Sequence, residues 1–137
     1  MEDKLILKDL TYKIRGLLFE VQNELGNYCK EEQYSDRFEF KLKENGFNYT
    51  RKYILPKSFE GERHHRNRID FLIEDILIVE FKVVPALSRD DYFQCQRYLQ
   101  SLNLDLCLLI NFRPKYLMIK RILNNEKFNR EKNNLSV

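Results

Sequence analysis

The chain has 137 residues, about the length of one domain. Hydrophobic residues make up 43% of it and charged residues 33%, which provides material for one core and argues against a disordered or fibrous protein. No apolar run approaches the roughly 18 residues that span a membrane, and the acidic start is not typical of a signal peptide. The three cysteines lack the short spacing of zinc or redox pairs, so we expect reduced thiols and a cytoplasmic location.

Hydrophobic periodicity predicts the elements in chain order. Helices are predicted over 11–25, from Glu31 to about 45, and over 88–102, and strands over 47–53, 63–73, 76–84, 105–112 and 115–123. The strand over 76–84 is apolar on both faces, which is typical of a central strand covered on both sides. The pattern predicts an α/β layer sandwich with a mixed sheet, in a single domain over residues 1–123 with a polar, flexible C-terminal tail over 124–137.

The basic residues are unevenly distributed, although the net charge is only +3. Six Lys or Arg lie in the segment 51–68 and seven in the segment 113–132, each against two Glu. Two such segments can form the phosphate-attracting rim of a groove, or simply a solvated surface and a charged tail. Adjacent histidines on a strand point to opposite faces and cannot easily share a metal ion, so we assign them to the basic strand end. The predicted nucleic-acid contacts are Arg51, Lys52, His65, Arg66 and Arg68.

Charged residues interrupt two of the apolar strands. Asp70 lies within the run IDFLI, and Glu80 and Lys82 lie within the run ILIVEFKVV. Because side chains alternate along a strand, Glu80 and Lys82 share one face. Burying an unpaired charge costs several kcal/mol, so these groups need each other, a metal ion or a ligand.

The register of the two strands decides whether the acids can meet. If Asp70 lies opposite Glu80, paired residue numbers sum to 150 and the connecting loop contains an odd number of residues, so we predict a three- or five-residue loop or a bulge. The two carboxylates can then chelate one hard divalent cation, and Lys82 can hold a phosphate or orient a water molecule. The alternative is a buried Lys–Glu pair with Asp70 capping a turn.

These residues also resemble a known family. The segment Asp70…Glu80-Phe81-Lys82 is similar to the core motif of the PD-(D/E)XK nuclease superfamily. From about Thr11 to Ile122 the chain more closely resembles the small bacterial and archaeal GxxExxY family, although the first Gly of the naming motif is Tyr28 here. The blocks that carry this resemblance are Thr11…Ile14, Val21, Glu24-Leu25-Gly26, Glu31-x-x-Tyr34, Asp70, Glu80-Phe81-Lys82, Gln94-x-x-x-Tyr98-Leu99 and Leu108-Leu109-Ile110-Asn111-Phe112.

The resemblance implies a restriction-endonuclease-like α/β/α sandwich with a central mixed sheet, and a metal-dependent nuclease that cleaves DNA. It implies Mg²⁺ as the cofactor, with Mn²⁺ as a substitute, bound by Asp70 and Glu80. It makes Lys82 the catalytic lysine and adds Glu31 and Gln94 to the catalytic residues. From the residues alone, Glu31 is equally well explained by the helix dipole, and Gln94 as a surface residue.

Two other functions remain open at the level of the sequence. The first is a nucleic-acid-binding or adaptor module that keeps the fold without cutting, and the second is a protein-interaction subunit of a larger system. The presence of all three motif residues argues against the first. Because the domain is small, we expect a homodimer or a partner protein to help it grip nucleic acid.

Overall fold

The computed structural model describes residues 7–63 and 67–129, which form three helices and a five-stranded sheet. The elements are α1 (Lys8–Leu25), α2 (Glu31–Glu44), β1 (Tyr49–Ile54), β2 (Arg68–Ile73), β3 (Leu77–Lys82), α3 (Arg89–Leu102), β4 (Leu106–Asn111) and β5 (Met118–Leu123). The strands follow the order β1-β2-β3-β4-β5. Only β3 and β4 pair in parallel, and α3 connects them, so the predicted mixed sheet is confirmed.

Each face of the sheet has its own hydrophobic core. One core joins α1 and α2 to the sheet and includes Tyr34, Phe38, Phe71 and Phe81. The other joins α3 to the opposite face. Both β3 and β4 are covered on both sides, which explains their continuous apolar sequences and confirms the α/β/α sandwich. No helix in the two described ranges is long and apolar enough to cross a membrane.

Several predicted boundaries differ from those in the structure; α1, for example, begins at Lys8 rather than at 11. β2 begins at Arg68 rather than at 63, residues 64–66 of the predicted strand lie outside the described residues, and the Glu62 carboxylate accepts the Ser58 N–H in the turn that precedes them. β5 begins at Met118 rather than at 115, because the preceding loop is held by hydrogen bonds to the Gln22 side chain. The predicted flexible tail over 124–137 begins with a buried residue, and 130–137 lie outside the described residues.

That buried residue, Asn124, follows β5 and forms hydrogen bonds with the end of α3 and with the loop after it. Its side-chain amide donates to the carbonyls of Leu99 and Leu104, at 3.2 and 3.0 Å. Residues 125–129 then form one helical turn, which Asn124 caps by accepting the Lys127 N–H. The polar composition that predicted a flexible tail therefore serves, at its start, to satisfy backbone groups at the end of α3.

β1 and β2 share an irregularity in which the side chains switch faces. Ile69 packs in the α3-side core and Phe71 in the α1/α2-side core, although they are two residues apart and would share a face in a regular strand. Tyr53 and Tyr49 show the same switch on β1. Asp70 lies between Ile69 and Phe71, at the position where the side chains of β2 change faces. Local irregularities of this kind redirect a side chain near an active site.

Lys52 occupies the corresponding position of β1. The register pairs Arg51 with Phe71 and Tyr53 with Ile69, so Lys52 stands across from Asp70. Its φ of 57° lies in the left-handed region, which costs a residue with a side chain roughly 1–2 kcal/mol. The strain in β1 therefore accompanies the displacement of Asp70 from the regular pleat.

Replacing Lys52 with Gly should stabilise the protein, because glycine adopts a positive φ at no steric cost. The Lys52–Glu32 ion pair is half-exposed on both sides and contributes little. We expect a gain of about 1 kcal/mol, or a few degrees in Tm, measured by thermal unfolding. The control Thr50→Gly, at a regular exposed position of the same strand, should lower Tm. A lower Tm for Lys52→Gly would show that the Lys52 side chain stabilises the fold through its contacts.

Candidate active site

The candidate residues lie where β3 ends, between the starts of two helices. Lys82 is the last residue of β3, Glu31 is the first of α2, and Gln94 lies in the second turn of α3. The two helices cover opposite faces of the sheet. Ligands of open α/β sheets commonly bind beyond the carboxyl ends of parallel strands, and β3 and β4 end here together.

The predicted register of β2 and β3 is confirmed. Phe71 pairs with Val79 and Ile73 with Leu77, so paired numbers sum to 150 and the loop contains three residues. Two of these, Glu74 and Asp75, have φ values of 54° and 58°, which reverses the chain tightly. The same register puts Asp70 across from Glu80.

Asp70 and Glu80 are joined by two crossed hydrogen bonds in which each carboxylate accepts a backbone N–H of the other strand. The Asp70 N–H donates to Glu80 Oε2 at 2.6 Å, and the Phe81 N–H donates to Asp70 Oδ2 at 2.7 Å. The side chains thus replace ladder bonds at the end of the β2–β3 pair. Asp70 Oδ1 and Glu80 Oε1 accept no hydrogen bond from the described residues, so each acid keeps one oxygen for a further ligand.

Burial and mutual repulsion make this pair electrostatically unfavourable. Burial raises the pKa of Glu80 well above its ordinary value, and the negative charge of Asp70 raises it further. Burial also raises the pKa of Asp70, against the Phe81 N–H and the Lys82 charge, which lower it. A cation bound between the two acids would remove this cost.

Lys82 is held from the α3 side. Its Nζ donates to Gln94 Oε1 at 3.2 Å and lies 3.5 Å from Asp91 Oδ1, and only 22% of its side chain is exposed. An ammonium has three donors, so one of them is left for a water molecule or a substrate oxygen. Gln94 therefore touches the motif lysine directly.

Asp91 also belongs to the site, and the sequence analysis did not predict it. Its backbone N–H and carboxylate form a capping box with Ser88, which fixes the carboxylate toward β3. Burial raises its pKa, but the Ser88 N–H and the charge of Lys82 outweigh burial, and the pKa lies below its ordinary value. The sequence signal for Asp91 was an acidic residue at the third position of the helix that directly follows the motif strand.

Glu31 faces the same cleft from the α2 side. Burial raises its pKa, the charge of Asp70 adds to this rise, and the charge of Lys82 opposes it. These interactions mean that the three side chains share one electrostatic environment. The structure thus brings together all five predicted catalytic residues, Glu31, Asp70, Glu80, Lys82 and Gln94.

Of the five predicted nucleic-acid contacts, the structure describes Arg51, Lys52 and Arg68. The Arg51 guanidinium is 17% exposed and pairs with three carboxylates of α2, those of Glu32, Asp36 and Glu39, at 2.7 to 2.9 Å. A phosphate at Arg51 would therefore compete with three carboxylates of the protein itself. Lys52 and Arg68 remain exposed, whereas His65 and Arg66 lie outside the described residues.

The donor set fits a hard cation that keeps several of its own waters. In the part of the chain that is described, no three His, Cys, Asp or Glu side chains come together as a metal site. Mg²⁺ is typically bound through one or two carboxylates and completes its octahedron with water and substrate oxygens. The free oxygens of Asp70 and Glu80 provide that minimum.

The raised pKa of Glu80 predicts how its amide variant responds to pH. A carboxyl with a raised folded-state pKa contributes stability that is present below its unfolded pKa and is lost as pH rises through the folded pKa. Glu80→Gln resembles the protonated form. In EDTA we therefore expect its Tm to exceed that of the wild type at about pH 8, and the difference to shrink toward about pH 5.

Thermal unfolding across this pH range provides the measurement, and Glu60→Gln, at an exposed turn position, is the control with no such trend. A Tm difference for Glu80→Gln that stays constant with pH would contradict the raised pKa.

Comparison with known proteins places the chain in a family. Comparison with curated proteins found no match. Among solved structures, the chain is similar to the crystal structure of an alkaline exonuclease from Laribacter hongkongensis, with 14% identity and a TM-score of 0.49. This similarity covers 68% of the present chain and 55% of that chain, so it extends over about half of the exonuclease. The family model of the PD-(D/E)XK nuclease superfamily matches residues 8–122, which include every candidate catalytic residue, and the chain therefore belongs to the PD-(D/E)XK nuclease superfamily.

Proposed function

We propose that this protein is a divalent-metal-dependent nuclease that hydrolyses phosphodiester bonds in DNA, and that within the superfamily it belongs to the GxxExxY group. The observation that carries the proposal is the crossed Asp70–Glu80 pair with Lys82 beside it. A buried acid and a half-buried acid that repel each other, in a superfamily of nucleases, are best explained as ligands of a cation. A location in the cytoplasm agrees with three cysteines that form no disulfide.

Asp70 and Glu80 would hold Mg²⁺, or Mn²⁺ in its place, through the oxygens that accept no backbone N–H. When bound, the ion supplies Lewis-acid polarisation of the phosphate and lowers the pKa of a bound water. The two acids themselves are held by backbone amides, so their geometry is set before any ligand arrives. Such pre-organisation is what a site for charge stabilisation requires.

Lys82 and its neighbours act on the water and the phosphate. With Gln94 and Asp91 on two sides, the Lys82 ammonium has one free donor, which can orient the attacking water or stabilise charge on the phosphate. Glu31 lies on the α2 side of the cleft, where its carboxylate can accept a hydrogen bond from water. Gln94 keeps Lys82 in place without adding charge.

DNA is the proposed substrate because the chain has a net positive charge and its exposed cations include Lys52 and Arg68 on the strands beside Asp70. A single DNA-binding module buries roughly 600–1,000 Å² of protein surface, which is less than large dimers bury. We therefore propose a second copy of the chain or a partner protein in the functional complex, in line with standard interface sizes for nucleic-acid binding.

Lys82→Ala should separate cleavage from binding. Losing a positioned charge or proton-transfer group typically lowers the rate ~10²–10⁴-fold, whereas most binding energy comes from phosphate contacts elsewhere. The measurement combines single-turnover cleavage of single- and double-stranded DNA and RNA in Mg²⁺ or Mn²⁺ with binding by anisotropy in Ca²⁺. Lys43→Ala, at the far end of α2, removes the same charge and should cleave like the wild type.

Two outcomes of this experiment would overturn the proposal. Cleavage by Lys82→Ala at the wild-type rate would assign the activity to another site or to a contaminant. Binding of DNA by the wild type without cleavage in any metal would favour the adaptor function. Cleavage of RNA but not of DNA would support the metal site and would contradict DNA as the substrate.

A further inference from the structure

Arg97 places an exposed positive charge on α3, close to the catalytic residues. It follows Gln94 by three residues, about one helical turn, so the two side chains emerge on the same side of the helix. Gln94 Oε1 accepts a hydrogen bond from the Lys82 ammonium at 3.2 Å. Arg97 is open to solvent, whereas the next residue, Tyr98, is only 4% exposed and packs in the α3-side core. The guanidinium is therefore accessible, one turn beyond the residue that contacts Lys82.

The charge of Arg97 and the charges of the acidic pair act on one group, the Tyr98 hydroxyl. Burial raises the pKa of Tyr98, the charges of Glu80 and Asp70 raise it as well, and the charge of Arg97 opposes them. Interactions between charges weaken with distance. The Arg97 guanidinium thus lies in the neighbourhood of the proposed metal ligands.

Arg97 also lines a crevice that opens beside the site. The crevice lies between α3, which contributes Arg97 and Ser101, and the connection from β1 to β2, which contributes Ser58 and Asn67. This connection stands at the catalytic edge of the sheet, because β2 is antiparallel to β3 and begins where β3 ends. The volume of the crevice is about 30 Å³, so a nucleic-acid strand would run across its mouth rather than inside it.

Positive charge is also exposed on the far side of the crevice. The exposed cations there are Lys57, Arg63 and Arg68. Two acids lie in the same connection. Glu60 is exposed, and the Glu62 carboxylate accepts the Ser58 N–H at 2.7 Å and the Asn67 side-chain amide at 3.3 Å. A polyanion that crosses the crevice would therefore meet Arg97 on one side and three cations on the other.

We propose that Arg97 binds a backbone phosphate of the nucleic-acid substrate where the strand leaves the cleft, and that the strand then crosses the crevice toward the connection from β1 to β2. A guanidinium is always charged, and its planar fork matches the geometry of phosphate oxygens. Arg97 lies beyond Gln94 on the helix, so the phosphate that it binds flanks the scissile one. This inference rests on the proposed function, and it adds to it a substrate-binding residue and the direction of the strand.

The test compares the wild type with Arg97→Gln on DNA, in Ca²⁺ for binding and in Mg²⁺ or Mn²⁺ for cleavage. Arg97→Gln should raise Kd and KM about 10-fold with little change in kcat, and should make the slope of log K against log salt shallower by about 1. Arg97→Lys keeps the charge without the fork, so it should keep the wild-type salt slope and bind with intermediate affinity. Arg15→Gln, the same change on α1 and so on the opposite face of the sheet, should leave all of these values unchanged.

A second arm uses DNA in which a single phosphate is replaced by a neutral methylphosphonate, at each position around the cleavage point in turn. At one position that flanks the scissile phosphate, neutralisation should weaken binding by the wild type and cause no further loss in Arg97→Gln. This result would assign the contact to Arg97, because two changes that remove the same interaction are not additive.

The outcomes separate this inference from the proposed function. If the wild type cleaves and Arg97→Gln binds as tightly and with the same salt slope, only the Arg97 assignment is wrong. The same holds if Arg97→Gln lowers kcat at unchanged Kd, or weakens binding of every methylphosphonate substrate by an equal factor, because Arg97 would then act through its neighbours in the fold. If the wild type neither binds nor cleaves any nucleic acid, the proposed function is wrong as well.

Discussion

The site depends on one constraint, the pair of crossed hydrogen bonds that fix Asp70 and Glu80 at the end of two antiparallel strands. Each acid uses one oxygen to complete the backbone pairing of the other strand. The fold thereby holds two like charges together in a poorly solvated place, and the pKa of each is raised. An arrangement that lowers the stability of the empty protein in this way is typical of a site formed for a ligand.

The surrounding helices and strands position the charged side chains around this pair. α3 holds Lys82 through Gln94 and Asp91, and α2 brings Glu31 to the other side of the cleft. The Asn111 side chain donates to the Val84 carbonyl and accepts the Arg113 N–H, so it joins the segments that follow β3 and β4. The left-handed residue in β1 belongs to the same arrangement, because it accompanies the redirection of Asp70.

The sequence predicts those parts of this arrangement that follow from local periodicity. Alternation along two strands and the condition that paired numbers sum to 150 predicted a loop of three or five residues or a bulge, and the structure has the loop of three, with the two acids across from each other. Asp91 was missed because its role depends on which strand end it approaches in space. The ion pairs of Arg51 were not predicted, because its partners, spaced as one stripe on α2, lie 12 to 19 residues away in the chain. The strain at Lys52 has no sequence signal at all, since lysine is not a residue that favours a positive φ.

The central claim is that Asp70 and Glu80 together bind one divalent cation, and calorimetric titration of the metal-free protein with Mn²⁺ tests it most directly. We expect one bound ion per chain. Binding should be at least ~10-fold weaker in both Asp70→Asn and Glu80→Gln, because each variant removes one of the two charged ligands. Glu60→Gln, at an exposed position, should bind as the wild type does. Equal affinity in the wild type and the two site variants, or no binding by the wild type, would contradict the account.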